Sequence, residues 1–129
     1  MNEVSDALGT ALTGDATLMA LVTDRVYDHI PENTAFPYVE IGDAFESQTD
    51  TFGTGVWDVL LTIHIWSRAK GFFEAWNIAD RISVVLDRAA LTLASLTHIS
   101  TQRETASTFR DQDGVSRQIV QQFRVRVQE

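Results

Sequence analysis

Side chains able to act as metal ligands or nucleophiles are scattered through this sequence. His29, His64 and His98 lie far apart and lack the short spacing that is typical of metal ligands. The chain contains no cysteine, so it has no thiol nucleophile, no disulfide and no cysteine-ligated zinc. The sequence therefore predicts neither a metal site nor a cofactor.

One segment resembles a calcium-binding loop but lacks its outer ligands. Asp111, Asp113 and Gly114 match three inner positions of such a loop. Phe109 and Val120 then stand at the first and last ligand positions, where carboxylates are required. We interpret the segment as a solvated hairpin turn.

A glycine-rich segment also fails as a phosphate-binding loop. Gly53 and Gly55 begin the pattern, but Asp58 takes the third glycine position and a strand pattern follows in place of a helix. The single lysine, Lys70, lies in no phosphate-binding motif.

The remaining candidate for nucleophilic chemistry is His64 with Ser67. Residues three apart on a strand point to opposite faces, so these two side chains cannot share a proton. We identify no catalytic residue and expect no enzyme activity.

The elements implied by apolar spacing form one α+β domain over residues 1–129. Two N-terminal helices are separated by Gly14 and the N-cap Asp15, and an amphipathic helix is predicted over residues 72–90. The predicted apolar stripe of this helix consists of Phe72, Trp76, Ala79, Ile82, Leu86 and Ala89. We expect an antiparallel sheet of about four strands, with the central helix and the N-terminal helices packed on it. The predicted strands cover residues 38–45, 56–66, 93–109 and 119–127, after a short extended piece at 26–30.

The connection over residues 47–55 is polar and contains two glycines, which predicts an exposed loop. Phe52 lies near its middle. This aromatic side chain either packs back onto its own domain or docks on a neighbouring molecule.

Charge is divided unevenly along the chain, whose net charge is −8. Eleven of the acidic residues, but only Arg25 among the basic ones, precede Ile65. An acidic chain is a poor candidate for wrapping nucleic acid, because such binding depends on neutralising phosphates. If this division forms two oppositely charged surfaces, it would suit subunits that assemble head to tail in rings or stacks. Ordinary variation of surface charge would give the same uneven distribution.

No apolar run approaches the ~20 residues that span a bilayer, so we expect no membrane association. The N-terminal residues are acidic where a secretory signal would be basic, so no export is indicated.

The order of several short motifs resembles that of one family. The motifs are Asp15-x-x-Leu18-x-x-Leu21-Val22-x-x-Arg25-Val26-Tyr27, Pro31, Phe36-Pro37-Tyr38-x-x-Ile41-Gly42, Trp66-Ser67-Arg68-x-x-Gly71, Ala79-Asp80, Asp113-Gly114 and Phe123-Arg124-Val125. They cover nearly the whole chain. By these motifs it is similar to the tail-completion proteins of long-tailed phages, which include the tail terminators of lambda-like phages and of gene transfer agents.

That resemblance implies a structural virion protein at the head–tail junction, assembled in the host cytoplasm. It implies a homohexameric ring that caps the tail tube protein, stops tube polymerisation and offers its other side to the head-completion (stopper) protein. DNA would pass through the lumen without specific binding. The family supplies no catalytic residue and no cofactor.

We predict that Phe52, Arg68, Arg124 and Arg126 make subunit or tube contacts. Two alternatives remain at this point. One is another head–tail connector ring protein, a stopper or an adaptor. The other is a small ligand-binding domain whose pocket is lined by the three tryptophans, Trp57, Trp66 and Trp76.

Overall fold

A computed structural model describes residues 2–49 and 55–129. Phe52 therefore lies outside the described residues. Three helices and a five-stranded sheet are present in the described part of the chain. In chain order these are α1 (Asn2–Thr13), α2 (Ala16–Val22), β1 (Val26–Tyr27), β2 (Tyr38–Gln48), β3 (Val56–Ser67), α3 (Phe73–Leu86), β4 (Thr97–Arg110) and β5 (Arg117–Gln128).

The strands lie in the order β1-β2-β3-β5-β4. Neighbouring strands are antiparallel except β1, which runs parallel to β2. The α+β class, the central helix and the two N-terminal helices are as predicted. The strand count of about four is one too low, because the piece at 26–30 contributes a two-residue strand to the sheet edge.

The helices all pack on one face of the sheet, where strict alternation along β3 and β5 places the apolar side chains. The buried sheet residues on this face include Val59, Leu61, Ile63, Ile65, Ile119, Phe123, Val125 and Val127. They meet buried side chains of all three helices, among them Leu8, Leu12, Leu18, Val22, Ile78, Ile82 and Leu86. Each such buried aliphatic side chain contributes roughly 1.5–3 kcal/mol to stability.

The predicted apolar stripe of α3 is close to the observed one but not identical. Ala79, Ile82 and Leu86 are buried as expected. Ala75 and Ile78 are buried as well, while Trp76, predicted to lie within the stripe, is only partly buried.

The central helix ends earlier than predicted, at Leu86 instead of residue 90. Asp87 is extended and Arg88 has a left-handed backbone with φ of 60°, so the helix cannot continue. The next strand accordingly begins at Thr97 and not at residue 93.

Asp15 joins α2 to α3. Its Oδ2 accepts a hydrogen bond from the Leu18 backbone N–H at 2.9 Å, which caps the first turn of α2. Both carboxylate oxygens also accept from the Arg81 guanidinium at 2.7 Å. These two partners lower the pKa of Asp15 to about 2, the Arg81 hydrogen bond being the larger cause.

Candidate interaction surfaces

The face of the sheet opposite the helices is uncovered by any helix or strand of the described residues. We call it the open face. Residues paired across the strands point to the same side. Its central rows are therefore Ser47, Asp58 and Arg126, then Phe45, Leu60 and Arg124, then Thr62 and Gln122, then Glu40, His64 and Val120, then Tyr38, Trp66 and Gln118. Mixed polar and apolar composition is what the alternating pattern of β3 predicts for such a face.

An ion-pair network lies at one end of the open face. Asp58 accepts two hydrogen bonds from Arg126, with Oδ1–Nε at 2.8 Å and Oδ2–NH2 at 3.0 Å. Arg124 approaches the same carboxylate at 3.7 Å and pairs with Glu104 of β4 at 2.7 Å. The Arg126 hydrogen bond is the main reason that the pKa of Asp58 is lowered.

This network leaves little of Asp58 in contact with solvent. Its exposed fraction is only 6%, whereas the side chains of Arg124 and Arg126 stay 42% and 46% exposed. The two arginines therefore cover the carboxylate and still offer N–H groups to a neighbouring molecule. A bidentate guanidinium is well suited to such interface contacts.

The other end of the open face is aromatic. Tyr38 and Trp66 stack with ring centroids 6.3 Å apart. Phe109 on β4 lies at this end and is 52% exposed, whereas Phe45 on β2 lies in the row of Arg124 and is 68% exposed. Exposed aromatic side chains beside arginines are a composition that is enriched at protein interfaces.

Arg68 lies at the far end of the sheet from the Asp58 network. Its guanidinium lies 4.3 Å from the centre of the Phe36 ring, and its Nε donates to Ser116 Oγ at 3.2 Å. The sheet therefore brings Arg124 and Arg126 together, as expected of two residues on one strand face. Arg68 follows the end of β3, about ten residues beyond Asp58, and therefore lies ~30 Å from the network at ~3.3 Å per residue.

The β4–β5 turn beside Arg68 is held by Asp113. Its Oδ1 accepts from the backbone N–H groups of Val115 and Ser116 at 2.8 and 2.7 Å, and its Oδ2 accepts from Ser116 Oγ. Hydrogen bonds from Ser116 are the main cause that lowers the pKa of Asp113 to about 2. The carboxylate thus stabilises the turn, which agrees with its interpretation as a hairpin.

The tryptophans do not form a shared pocket. Trp57 and Trp76 pack against the core on the helix side of the sheet, whereas Trp66 lies on the open face. A groove of about 630 Å³ beside α1 is shallow and lined mainly by alanine, threonine and acidic side chains. The placement of the three rings gives no support to the ligand-binding alternative.

Among residues 2–49 and 55–129, no group of three or more histidine, cysteine, aspartate or glutamate side chains is positioned to hold a metal. No helix in that part of the chain has the length and apolar character needed to cross a bilayer.

A family model for tail completion protein gp17 matches residues 6–128 of the sequence. The chain belongs to this tail-completion family. Membership makes it a structural tail-completion protein and not an enzyme. The resemblance found in the short motifs is thereby confirmed.

Two solved structures have a fold similar to that of this chain. A chain of the structure described as the virion of a native gene transfer agent particle is 27% identical, with a TM-score of 0.93 over 99% of this chain and 96% of that one. The gp17 protein of bacteriophage SPP1 is 24% identical, with a TM-score of 0.63 over 95% and 89% of the two chains, a likeness of fold alone. No curated protein matches the sequence significantly.

Proposed function

We propose that this tail-completion protein is a tail terminator. In this role six copies form a ring at the head–tail junction of the virion, cap the tail tube, stop its polymerisation and join the tail to the head connector. The observation that carries the proposal is the near-complete match of its fold to a chain of a gene transfer agent virion. Membership of the tail-completion family supports it independently.

The described surfaces suit a passive mechanism based on shape and contact. The open face and the strand ends carry exposed aromatic and arginine side chains, which can bind the tube protein on one side of a ring and the stopper protein on the other. A net charge of −8 per copy would let DNA pass through the lumen without binding, because phosphates are repelled and not neutralised.

The test is electron microscopy of particles assembled in host cells that lack this protein. We expect tails of uncontrolled, excessive length that carry no heads, and restoration of normal particles when the gene is supplied in trans. Gold labelling of a tagged copy should mark the head–tail junction. Tails of normal length with heads attached would overturn the proposal.

The same experiment distinguishes a tail terminator from the alternative, a stopper or an adaptor protein of the connector. Loss of either of these would leave tails of normal length that fail to join, beside heads that do not retain DNA. Overlong tails are expected only when the component that ends tube growth is missing.

A further inference from the structure

The outer edge of β4 is closed over its first half by the segment that follows α3. The Arg88 backbone N–H donates to the Thr101 carbonyl at 2.8 Å, and the Arg103 backbone N–H donates to Asp87 Oδ1 at 3.0 Å. These bonds satisfy main-chain groups that would otherwise be open to another strand. No neighbouring strand can add to β4 at this point.

The second half of the same edge is open. Asp111 N–H donates to the Ser116 carbonyl at 2.9 Å, which fixes the alternation of inward and outward main-chain groups along β4. Successive residues of a strand direct their main-chain groups to opposite sides. Those of Ala106, Thr108 and Arg110 therefore point away from β5. No segment of the described residues lies beyond them in the sheet.

Among the described residues, a strand covers only part of the opposite edge of the sheet. β1 pairs with β2 at Val39 and Glu40 alone and ends at Tyr27. A bulge between Ile41 and Ala44 follows. The bond from Thr49 N–H to the Val56 carbonyl fixes the alternation here as well, and it directs the main-chain groups of Ala44 away from β3.

The two open stretches differ in charge. Along the open half of β4, residues 105–110, the one charged side chain is the exposed Arg110. Asp28 follows β1, and Asp43 lies in the bulge of β2, both exposed. The open half of β4 is therefore basic, whereas the β2 edge is acidic.

We propose that, in the ring, the open half of β4 of one copy docks on the β2 edge of the next copy, next to Ala44. The inference rests on the proposed ring and names the surfaces that build it. Unlike edges that meet head to tail make a heterologous contact, which closes into a ring when the rotation between copies allows it. At this contact the outward main-chain groups of Ala44 can pair with those of the open half of β4, and the exposed Arg110 and Asp43 fix which edges meet.

Cross-linking tests the contact directly, because the chain has no cysteine of its own. Ala44→Cys and Thr108→Cys introduce thiols at exposed positions of the two edges, both projecting toward the helix side of the sheet. A short bis-maleimide applied to assembled particles should give a ladder of covalent oligomers from the double variant. The matched control combines Thr108→Cys with Asn77→Cys on the exposed side of α3, and it should stay monomeric.

The outcomes distinguish this contact from the ring itself. A ladder that stops at six copies supports both proposals, and a ladder of another length supports the edge contact while contradicting the hexamer. No ladder in particles of normal tail length would overturn the edge contact and leave the terminator role standing. Dimers from Thr108→Cys alone would also overturn it, because like edges would then be meeting.

Charge reversal gives a second measurement that needs no cross-linker. Arg110→Glu and Asp43→Arg should each lower incorporation into particles by about tenfold, and the two together should restore it to within about twofold of the unmodified protein. Circular dichroism of each purified variant separates loss of docking from loss of folding. Folded single variants that incorporate normally, or a double variant that is no better than either single one, would contradict the proposal.

Discussion

Asp58 and Arg126 form a bidentate ion pair across β3 and β5, with Oδ1–Nε at 2.8 Å and Oδ2–NH2 at 3.0 Å. The carboxylate is buried although it lies on the open face, because Arg126 and Arg124 shield it. The pair therefore links two central strands within the single chain before any partner binds.

Breaking this pair should destabilise the isolated protein. Asp58→Asn leaves two arginines beside a neutral side chain, and we expect the free energy of unfolding in urea to fall by about 1–3 kcal/mol. Glu104→Gln is the matched control, because it removes the exposed partner of Arg124 and should cost less than about 1 kcal/mol. Equal effects of the two substitutions would contradict the role assigned to Asp58.

Acid should weaken the link between α2 and α3. The pKa of Asp15 is lowered from 3.8 to about 2 by Arg81 and the Leu18 N–H, so the folded state holds the charged form more strongly than the unfolded state. The stabilisation is complete above pH 3.8 and is lost as the pH falls toward about 2. We expect the urea midpoint to drop over this range.

Two substitutions test whether the acid-induced decrease of the urea midpoint comes from the Asp15–Arg81 ion pair. Asp15→Asn keeps a capping side chain but has no charge, so its urea midpoint should be lower at neutral pH and should change less between pH 3.8 and about 2. Arg81→Gln should also reduce the change by removing the main partner. An acid profile identical to that of the unmodified protein in both variants would refute the assignment. Part of the decrease in the urea midpoint should remain in each variant, because the pKa of Asp113 is also about 2.

Gly42 should not tolerate a side chain. A Cβ at this position would lie 2.7 Å from Cδ2 and 2.8 Å from Nε2 of His64, and 3.2 Å from the Thr62 carbonyl. The His64 ring is held by a hydrogen bond between Nδ1 and Gln118, so it cannot turn away freely. Gly42→Ala should therefore cost about 1–3 kcal/mol in unfolding free energy.

A double-mutant cycle checks the cause of that cost. His64→Ala opens the space next to Gly42, so Gly42→Ala should cost distinctly less in that background than alone. Additive effects would show that the ring is not the obstacle and that the bulge itself requires glycine.

Gln121 is a fully buried polar residue in the core. Its Nε2 donates to the Ala79 carbonyl at 3.1 Å and to Ser83 Oγ at 3.2 Å, but its Oε1 is buried without a hydrogen-bond partner among the described residues. Because an unpaired buried acceptor is unfavourable, Gln121→Met should leave the unfolding free energy unchanged or raise it by up to about 1 kcal/mol.

Gln121→Ala is the control for that substitution. It removes the same amide but leaves a cavity, and it should cost about 2–4 kcal/mol by the measured range for large-to-small changes. A large loss of stability in Gln121→Met would mean that the two hydrogen bonds donated by the amide stabilise the fold by more than its unpaired oxygen destabilises it.

Phe52, in the segment between β2 and β3, remains a predicted contact residue. Phe52→Ala should give a monomer with an unchanged circular dichroism spectrum and thermal midpoint, but with impaired ring formation or tail joining in complementation. Normal particle yield with the variant would remove Phe52 from the contact surface.

Much of the fold was predictable because its strongest signals are local. Alternation in β3 and β5 predicts which face is buried, and the Asp15 cap predicts where α2 begins. The parallel pairing of β1 was missed, since two residues carry no periodic pattern and their place depends on a partner distant in sequence.

The candidate surfaces were only partly predictable. The positions of Arg124 and Arg126 on one strand face follow from alternation, but their shared partner Asp58 lies on another strand. The closure of β4 by Asp87 and Arg88 was missed for a similar reason. It depends on a left-handed residue that ends α3 before the apolar spacing does.

The early end of α3 limits where a neighbouring copy can pair with β4. With Thr101 and Arg103 already bonded, an incoming strand can lie only against the hairpin half of β4, so its sliding is restricted to a few residues. A copy that approaches the blocked stretch meets no free main-chain groups there and can pair only after it shifts toward the β4–β5 turn.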